Sequence, residues 1–243
     1  MALPRLLSQL TQVFLAVPCP LCQRPASSLL CADCYGQMCA CQWSSGQAHA
    51  MHQMPATSKQ PALLVFSWGK YQGVLKQLLA LLKYGNQAEL GLWLGYQLGQ
   101  QWKKSGLQGT HRPVVVPIPL HRQRLNQRGY NQAALIAQGF CRVTGLPLAE
   151  NGLRRIKATE AMYHLKTHER HKNLIDAFQL GKKLPSQQQP ILLMDDIYTT
   201  GTTAKTAAIP LMRAGYCIVG IATVAQAILS SPLAGSGRSD LPH

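Results

Sequence analysis

The chain has 243 residues, 47% of them apolar, enough for one good-sized core and a small appendage, which argues against overall disorder. No apolar run approaches the ~20 residues of a membrane span. Lysine and arginine number 24 against nine acids, a formal charge of +15, and such a balance points to anionic partners: phosphates on a small metabolite or on nucleic acid.

At the N-terminus, Leu6, Leu7, Leu10, Val13, Phe14 and Val17 fall on one helical face, interleaved with Ser8, Gln9, Thr11 and Gln12. The pattern predicts a short amphipathic helix rather than a secretion signal, hence a cytoplasmic protein. Cys19/Cys22 and Cys31/Cys34 then form two C-x-x-C pairs separated by eight residues. Each pair can place two thiolates on one ion, and together they complete a tetrahedral site for a structural zinc. Disulfides are disfavoured in a reducing cytosol. Cys39 and Cys41, with C-x-C spacing, are alternate ligands or remnants of a second site. Cys141 and Cys217 lie in apolar periodic segments and read as buried thiols. Residues 1–45 thus read as a zinc-ribbon-like domain, and the polar residues 46–60, with His49 and His52, as a linker.

From residue 61 the pattern changes. "PALLVFSW" reads as a strand, and Val74, Leu75, Leu78, Leu79 and Leu82 predict a helix over 71–84. A second helix is expected over 89–104. "PVVVPIP" (113–119) has the form of a buried strand ending in a loop, followed by the basic stretch "LHRQRLNQRGYNQ" and a helix over 131–144. Residues 112–183 hold 13 basic and four acidic residues; within them, 154–172 are expected to close over a site and exclude water. "AFQL" is a weak strand and "ILLMDD" a strong one; 202–214 predict a helix, "CIVGIATVAQA" a last strand, and 229–243 a flexible tail. Apolar strands alternating with helices predict an α/β fold, a mostly parallel sheet flanked by helices, with ligands beyond the carboxyl ends of the strands.

At one such end stands "ILLMDDIYTTGTT" (191–203), where a chain poor in acids puts Asp195 beside Asp196 ahead of Thr199, Thr200, Gly201, Thr202 and Thr203. Backbone N–H groups and short hydroxyls at a helix start can surround a phosphate monoester, with Gly201 allowing close approach. The acids suit the hydroxyls of a sugar carrying that phosphate, or a Mg²⁺ beside it. A Walker loop needs a lysine directly after its last glycine, and none follows Gly201 until Lys205. Arg122, Arg124 and Arg128, next to the end of the strand at 114–118, are placed to meet a pyrophosphate group.

This stretch resembles the phosphoribosyl-diphosphate (PRPP) binding signature of type I phosphoribosyltransferases. With "VVVPIPLHRQRLNQRGYNQ", "LRRIKAT", "HERHKNLIDAF" and the cysteine block, the chain resembles the ComF/GntX family of competence- and gluconate-associated proteins over roughly residues 5–228. The resemblance implies an N-terminal zinc ribbon joined to a phosphoribosyltransferase-like domain (61–228), a Mg²⁺–PRPP ligand, and a role with incoming DNA in natural competence. Two positions depart from the family pattern: Met162 stands where a glutamine is common, and the third cysteine pair is "CAC" rather than C-x-x-C.

Two classes of function follow. One is an enzyme that transfers ribose 5-phosphate from PRPP to a nitrogen nucleophile with release of pyrophosphate, which needs Mg²⁺ and cationic donors more than a covalent nucleophile. The other is a non-catalytic adaptor for single-stranded DNA or competence proteins, with the ribose-phosphate site as a sensor. No helix-turn-helix, aromatic stacking platform or base-recognition pocket is readable.

Overall fold

The computed structural model describes residues 17–43, 52–54, 63–107, 112–157, 177–184 and 186–228. The expected N-terminal helix, most of 154–172 and the tail lie outside the described residues.

The first unit is small. Strands β1 (Val17–Pro18) and β2 (Pro25–Ala26) form an antiparallel ribbon, and helix α1 (Ala32–Cys39) follows. In the larger unit a five-stranded sheet runs in the order β3 (His52–Met54), β4 (Leu63–Lys70), β9 (Ile218–Gln226), β8 (Ile191–Tyr198), β5 (Val114–Pro117). The last four are parallel and β3 is antiparallel to β4, so the expected α/β architecture is present. Part of the polar stretch read as a linker therefore supplies an edge strand. Backbone pairing along β4 decides this, and side-chain periodicity could not reveal it over three residues.

Four helices complete the sequence-expected set: α2 (Gly73–Tyr84), α3 (Ala88–Lys104), α5 (Gln132–Thr144) and α6 (Thr202–Arg213). A further helix, α4 (Arg122–Arg128), occupies the stretch read as a basic loop. His121 accepts a hydrogen bond from Gln123 N at its start, and Gly129 ends it. Strands β6 (Leu153–Arg155) and β7 (Phe178–Leu180) pair antiparallel beside α6.

The sheet sorts the core into two layers, because successive strand residues face opposite sides. On one side Leu192, Met194, Ala222, Val224 and Phe66 meet the apolar stripes of α2, α3 and α5. On the other, Ile191, Leu193, Ile221 and Val65 meet Ala204, Ala207 and Leu211 of α6 and Phe178 of β7. Helices α3 and α5 pack at backbone distance. A Cβ on Gly95 would lie 2.0 Å from Ile136 O, and one on Gly139 2.0 Å from Leu92 O. At the sheet centre Ser67 and Thr223, both fully buried, share a hydrogen bond of 2.7 Å across β4 and β9.

The ribbon shares this core. Cys19, Leu30, Cys34, Met38 and Cys41 belong to the same buried cluster as Leu75, Leu78 and Trp68. Lys70 N donates to Cys41 O at 2.8 Å, and the Cys41 thiol donates to Gln72 O at 3.4 Å. Among the described residues, no helix is long and apolar enough to cross a membrane.

Candidate functional site

The cysteines separate by role. The Sγ atoms of Cys19, Cys22, Cys31 and Cys34 lie within 4.8 Å of one another. The β1–β2 turn presents the first pair, with Gln23 N donating to Cys19 O at 2.8 Å. The start of α1 presents the second, since Cys31 precedes the helix and Cys34 sits in its first turn. Arg24 donates to the Cys22 sulfur at 3.4 Å and to Asp33 at 2.7 Å, and hydrogen bonds from its side chain and backbone hold the Cys22 thiol down at about 6. Burial and the neighbouring thiols push Cys34 up to about 12. Four free thiols whose sulfurs crowd together in this way are a donor set that suits a tetrahedral soft-ligand metal such as zinc.

Among the described residues this is the one such cluster. The Cys41 thiol donates to Gln37 O and Gln72 O, and the third pair joins no such cluster among the described residues. Cys141 is half-buried and its thiol is raised to about 12 by burial, whereas Cys217 is exposed, contrary to the sequence expectation. Cys217 opens the apolar run that suggested burial, but it stands one residue before β9 begins at Ile218, where the chain is still at the surface.

The second constellation lies at the carboxyl end of β8, between β9 and β5. Strand alternation divides the two acids. Asp196 continues the side of Leu192 and Met194, toward α2; Asp195 continues the side of Ile191 and Leu193, toward β6. Asp196 is buried and its Oδ2 lies 2.6 Å from Lys83 Nζ, one residue from the end of α2. Asp195 is half-buried, accepts from Asp196 N at 2.8 Å, and its carboxyl is raised well above the ordinary value by burial and by Asp196. Facing it electrostatically is Arg155 of β6, stacked 5.2 Å from the Phe178 ring. Burial and the charge of Arg124 lower the Arg155 guanidinium, and Asp195 opposes them.

Beyond the strand, Thr199 and Thr200 are exposed and Gly201 is buried with φ 75°, the left-handed region that favours glycine. It caps α6 with no side-chain hydrogen bond, so the first-turn N–H groups have no side-chain cap, and Thr202 and Thr203 stand exposed beside them. Thr200 and Thr202 hydroxyls are 2.9 Å apart.

Of the three arginines, Arg124 and Arg128 are half-buried and line a cavity of about 600 Å³ with Lys83, while Arg122 is exposed and outside that lining. Tyr130 donates to Leu82 O at 2.6 Å and so fixes the end of α2 against the α4–α5 junction. Lys83 and Arg155 escaped sequence reading. Each gains its role only when α2 or β6 is brought to β8, and the one local signal was a lysine ending an otherwise apolar helix face.

These features define an α/β protein with an acidic pair at the carboxyl end of a parallel-sheet strand and, fused to its core, a ribbon whose four cysteines could hold a metal such as zinc. The chain is 30% identical to DNA utilization protein YhgH of Salmonella typhimurium over 84% of its own length and 81% of that protein. It is 28% identical to Competence protein F of Haemophilus influenzae, over 78% of this chain and 87% of that one. Competence protein ComFC of Bacillus subtilis matches at 28% identity, over 81% and 72%. No protein-family model matches the chain. On the extent of these similarities and the ribbon-plus-α/β organisation, the chain belongs to the ComF/GntX family.

Proposed function

We propose that the chain binds PRPP or a related ribose 5-phosphate at the end of β8, and that this serves DNA uptake or utilisation, the roles carried in its relatives' names. The observation that carries the reading is one continuous segment: Asp195 and Asp196 at the strand end, the left-handed Gly201, and the first turn of α6. The 5-phosphate accepts from that turn and the threonine hydroxyls. The ribose hydroxyls lie over the carboxylates, whose hard oxygens also fit Mg²⁺. When bound, Mg²⁺ neutralises diphosphate charge beside the site. Arg124, Arg128 and Lys83, gathered at one cavity, receive the pyrophosphate.

The reaction this arrangement supports is phosphoribosyl transfer. The bond from C1 of the ribose to pyrophosphate breaks, a nitrogen nucleophile takes its place, and the cations stabilise the negative charge that leaves. The test separates phosphate from ribose. Gly201→Val puts a β-branched residue at positive φ and should abolish binding of every ribose 5-phosphate ligand. Asp195→Asn with Asp196→Asn should weaken Mg²⁺–PRPP while leaving sulfate binding unchanged or slightly stronger. Equal losses for PRPP and sulfate in the double variant would refute the assignment of the acids. PRPP bound without pyrophosphate release, across nitrogen acceptors, would leave the site as a sensor.

A further inference from the structure

The cavity beside Asp196 holds more than an anion requires. Its volume of about 600 Å³ lies within the range of small-molecule sites, ~300–1,000 Å³. One wall is Tyr84, the last residue of α2, 82% exposed. Leaving that ring in solvent contributes little to folding, and its apolar face offers nothing to a pyrophosphate. A scattered surface tyrosine is ordinary; this one stands on an anchored backbone. Its neighbour Leu82 is held through the carbonyl by Tyr130, and the Arg128 guanidinium lies 5.6 Å from the ring centroid. Arg128 is itself fixed, donating to Gln132 Oε1.

Three primary amides line the same cavity. Asn86, in the left-handed conformation at φ 52°, turns the chain after α2, and Asn126 and Gln127 come from α4. An amide offers both a donor pair and an acceptor, the complement of a nucleobase edge. Lys83, Arg124 and Arg128 supply positive charge in the same cavity. Ring, amides and cations are the three elements that single-nucleotide recognition combines: a stacking face, an edge reader and a phosphate contact.

We propose that this cavity binds a nucleotide unit, its base stacked on Tyr84 and its phosphate on Arg124 and Arg128, where it takes the place of a pyrophosphate group rather than sitting beside one. The unit comes either from a free nucleotide or from single-stranded DNA. The proposal adds a base site to the ribose-phosphate reading above and relies on that reading only for what lies next to it. Lys83 touches both, as a wall of the cavity and as the partner of Asp196, so occupancy of one site is felt at the other.

Calorimetry on the full chain with dTMP and ribose 5-phosphate, and fluorescence anisotropy with a labelled 15-nucleotide oligo-dT, test it. The wild-type protein should bind at least one of dTMP and oligo-dT. Tyr84→Ala should weaken that binding roughly tenfold while leaving ribose 5-phosphate affinity unchanged. Tyr84→Phe should retain it, because the stacking face survives. The exposed position makes the alanine variant safe for folding. Tyr84-dependent binding of oligo-dT without dTMP assigns the unit to a strand; binding of dTMP as well shows that a free nucleotide suffices. Wild-type protein that binds neither, or an alanine variant that binds both as before, overturns the proposal. Tyr84-dependent nucleotide binding together with indifference to ribose 5-phosphate would keep the base site and remove the ribose-phosphate reading of β8.

Discussion

Asp195 and Asp196 are adjacent and chemically identical, yet the strand gives them opposite energetic roles. Asp196 is buried against Lys83; removing its charge leaves a half-buried ammonium without that partner, at a cost of up to about 3 kcal/mol. Asp195 is the reverse case, since burial and the neighbouring carboxylate disfavour its ionised form. Its folded pKa is raised, so the native state binds the proton more tightly than the unfolded chain does. The contribution of Asp195 to stability is therefore greatest below the ordinary value of 3.8 and declines as pH rises through the folded pKa. Asp195→Asn should accordingly raise the melting temperature at pH 7–8, with the difference shrinking as the pH falls. Asp196→Asn should lower it. Thermal melts of both variants from acid to neutral pH check the pair of signs. A destabilised Asp195→Asn at neutral pH would show that the carboxylate is better satisfied than its surroundings indicate.

At the scale of elements, α3 and α5 pack at backbone distance. Gly95 and Gly139 each leave room for a facing carbonyl, and an alanine Cβ would lie 2.0 Å from it. Gly95→Ala, which by intrinsic propensity should stabilise a helix by up to ~1 kcal/mol, should instead destabilise the protein by several kcal/mol, because both partners are backbone. Urea denaturation measures this directly; an unchanged midpoint would mean that the helices separate at little cost. These glycines also mark what the sequence could tell. The run "ILLMDD" and the leucine spacing of α2 were legible because each carries its own periodicity. Helix α4 was not: it has one apolar residue that could signal a face, Leu125, and it is set by the His121 cap and by Tyr130 reaching back to α2. The acids and the threonine loop could be read as a site from their order alone. Lys83 and Arg155 could not, since no local pattern says which strand end a side chain will meet.

Across the whole molecule, the ribbon and the α/β unit are energetically joined. Met38, Cys34 and Leu30 are buried in one cluster with Leu75 and Leu78, and Cys41 hydrogen-bonds to the backbone on both sides of the β4–α2 turn. Purified protein should carry about one zinc per chain. Removing it with a chelator, or by Cys34→Ser, should lower the melting temperature of the larger unit too, through the α1–α2 contact. Metal analysis with calorimetry checks both statements, and a larger unit that melts unchanged would make the ribbon a passive appendage. The same arrangement puts α2 between the cysteine ribbon and Asp196, so the proposed ligand site is built on a helix that the ribbon helps to hold. The most direct measurement of that site is calorimetric titration of the zinc-loaded wild-type chain with PRPP in the presence of Mg²⁺. The expected result is saturable binding at one site per chain, competed by ribose 5-phosphate. No binding of PRPP at millimolar concentration would contradict it and reduce the segment from Asp195 to Thr203 to a strand-to-helix turn.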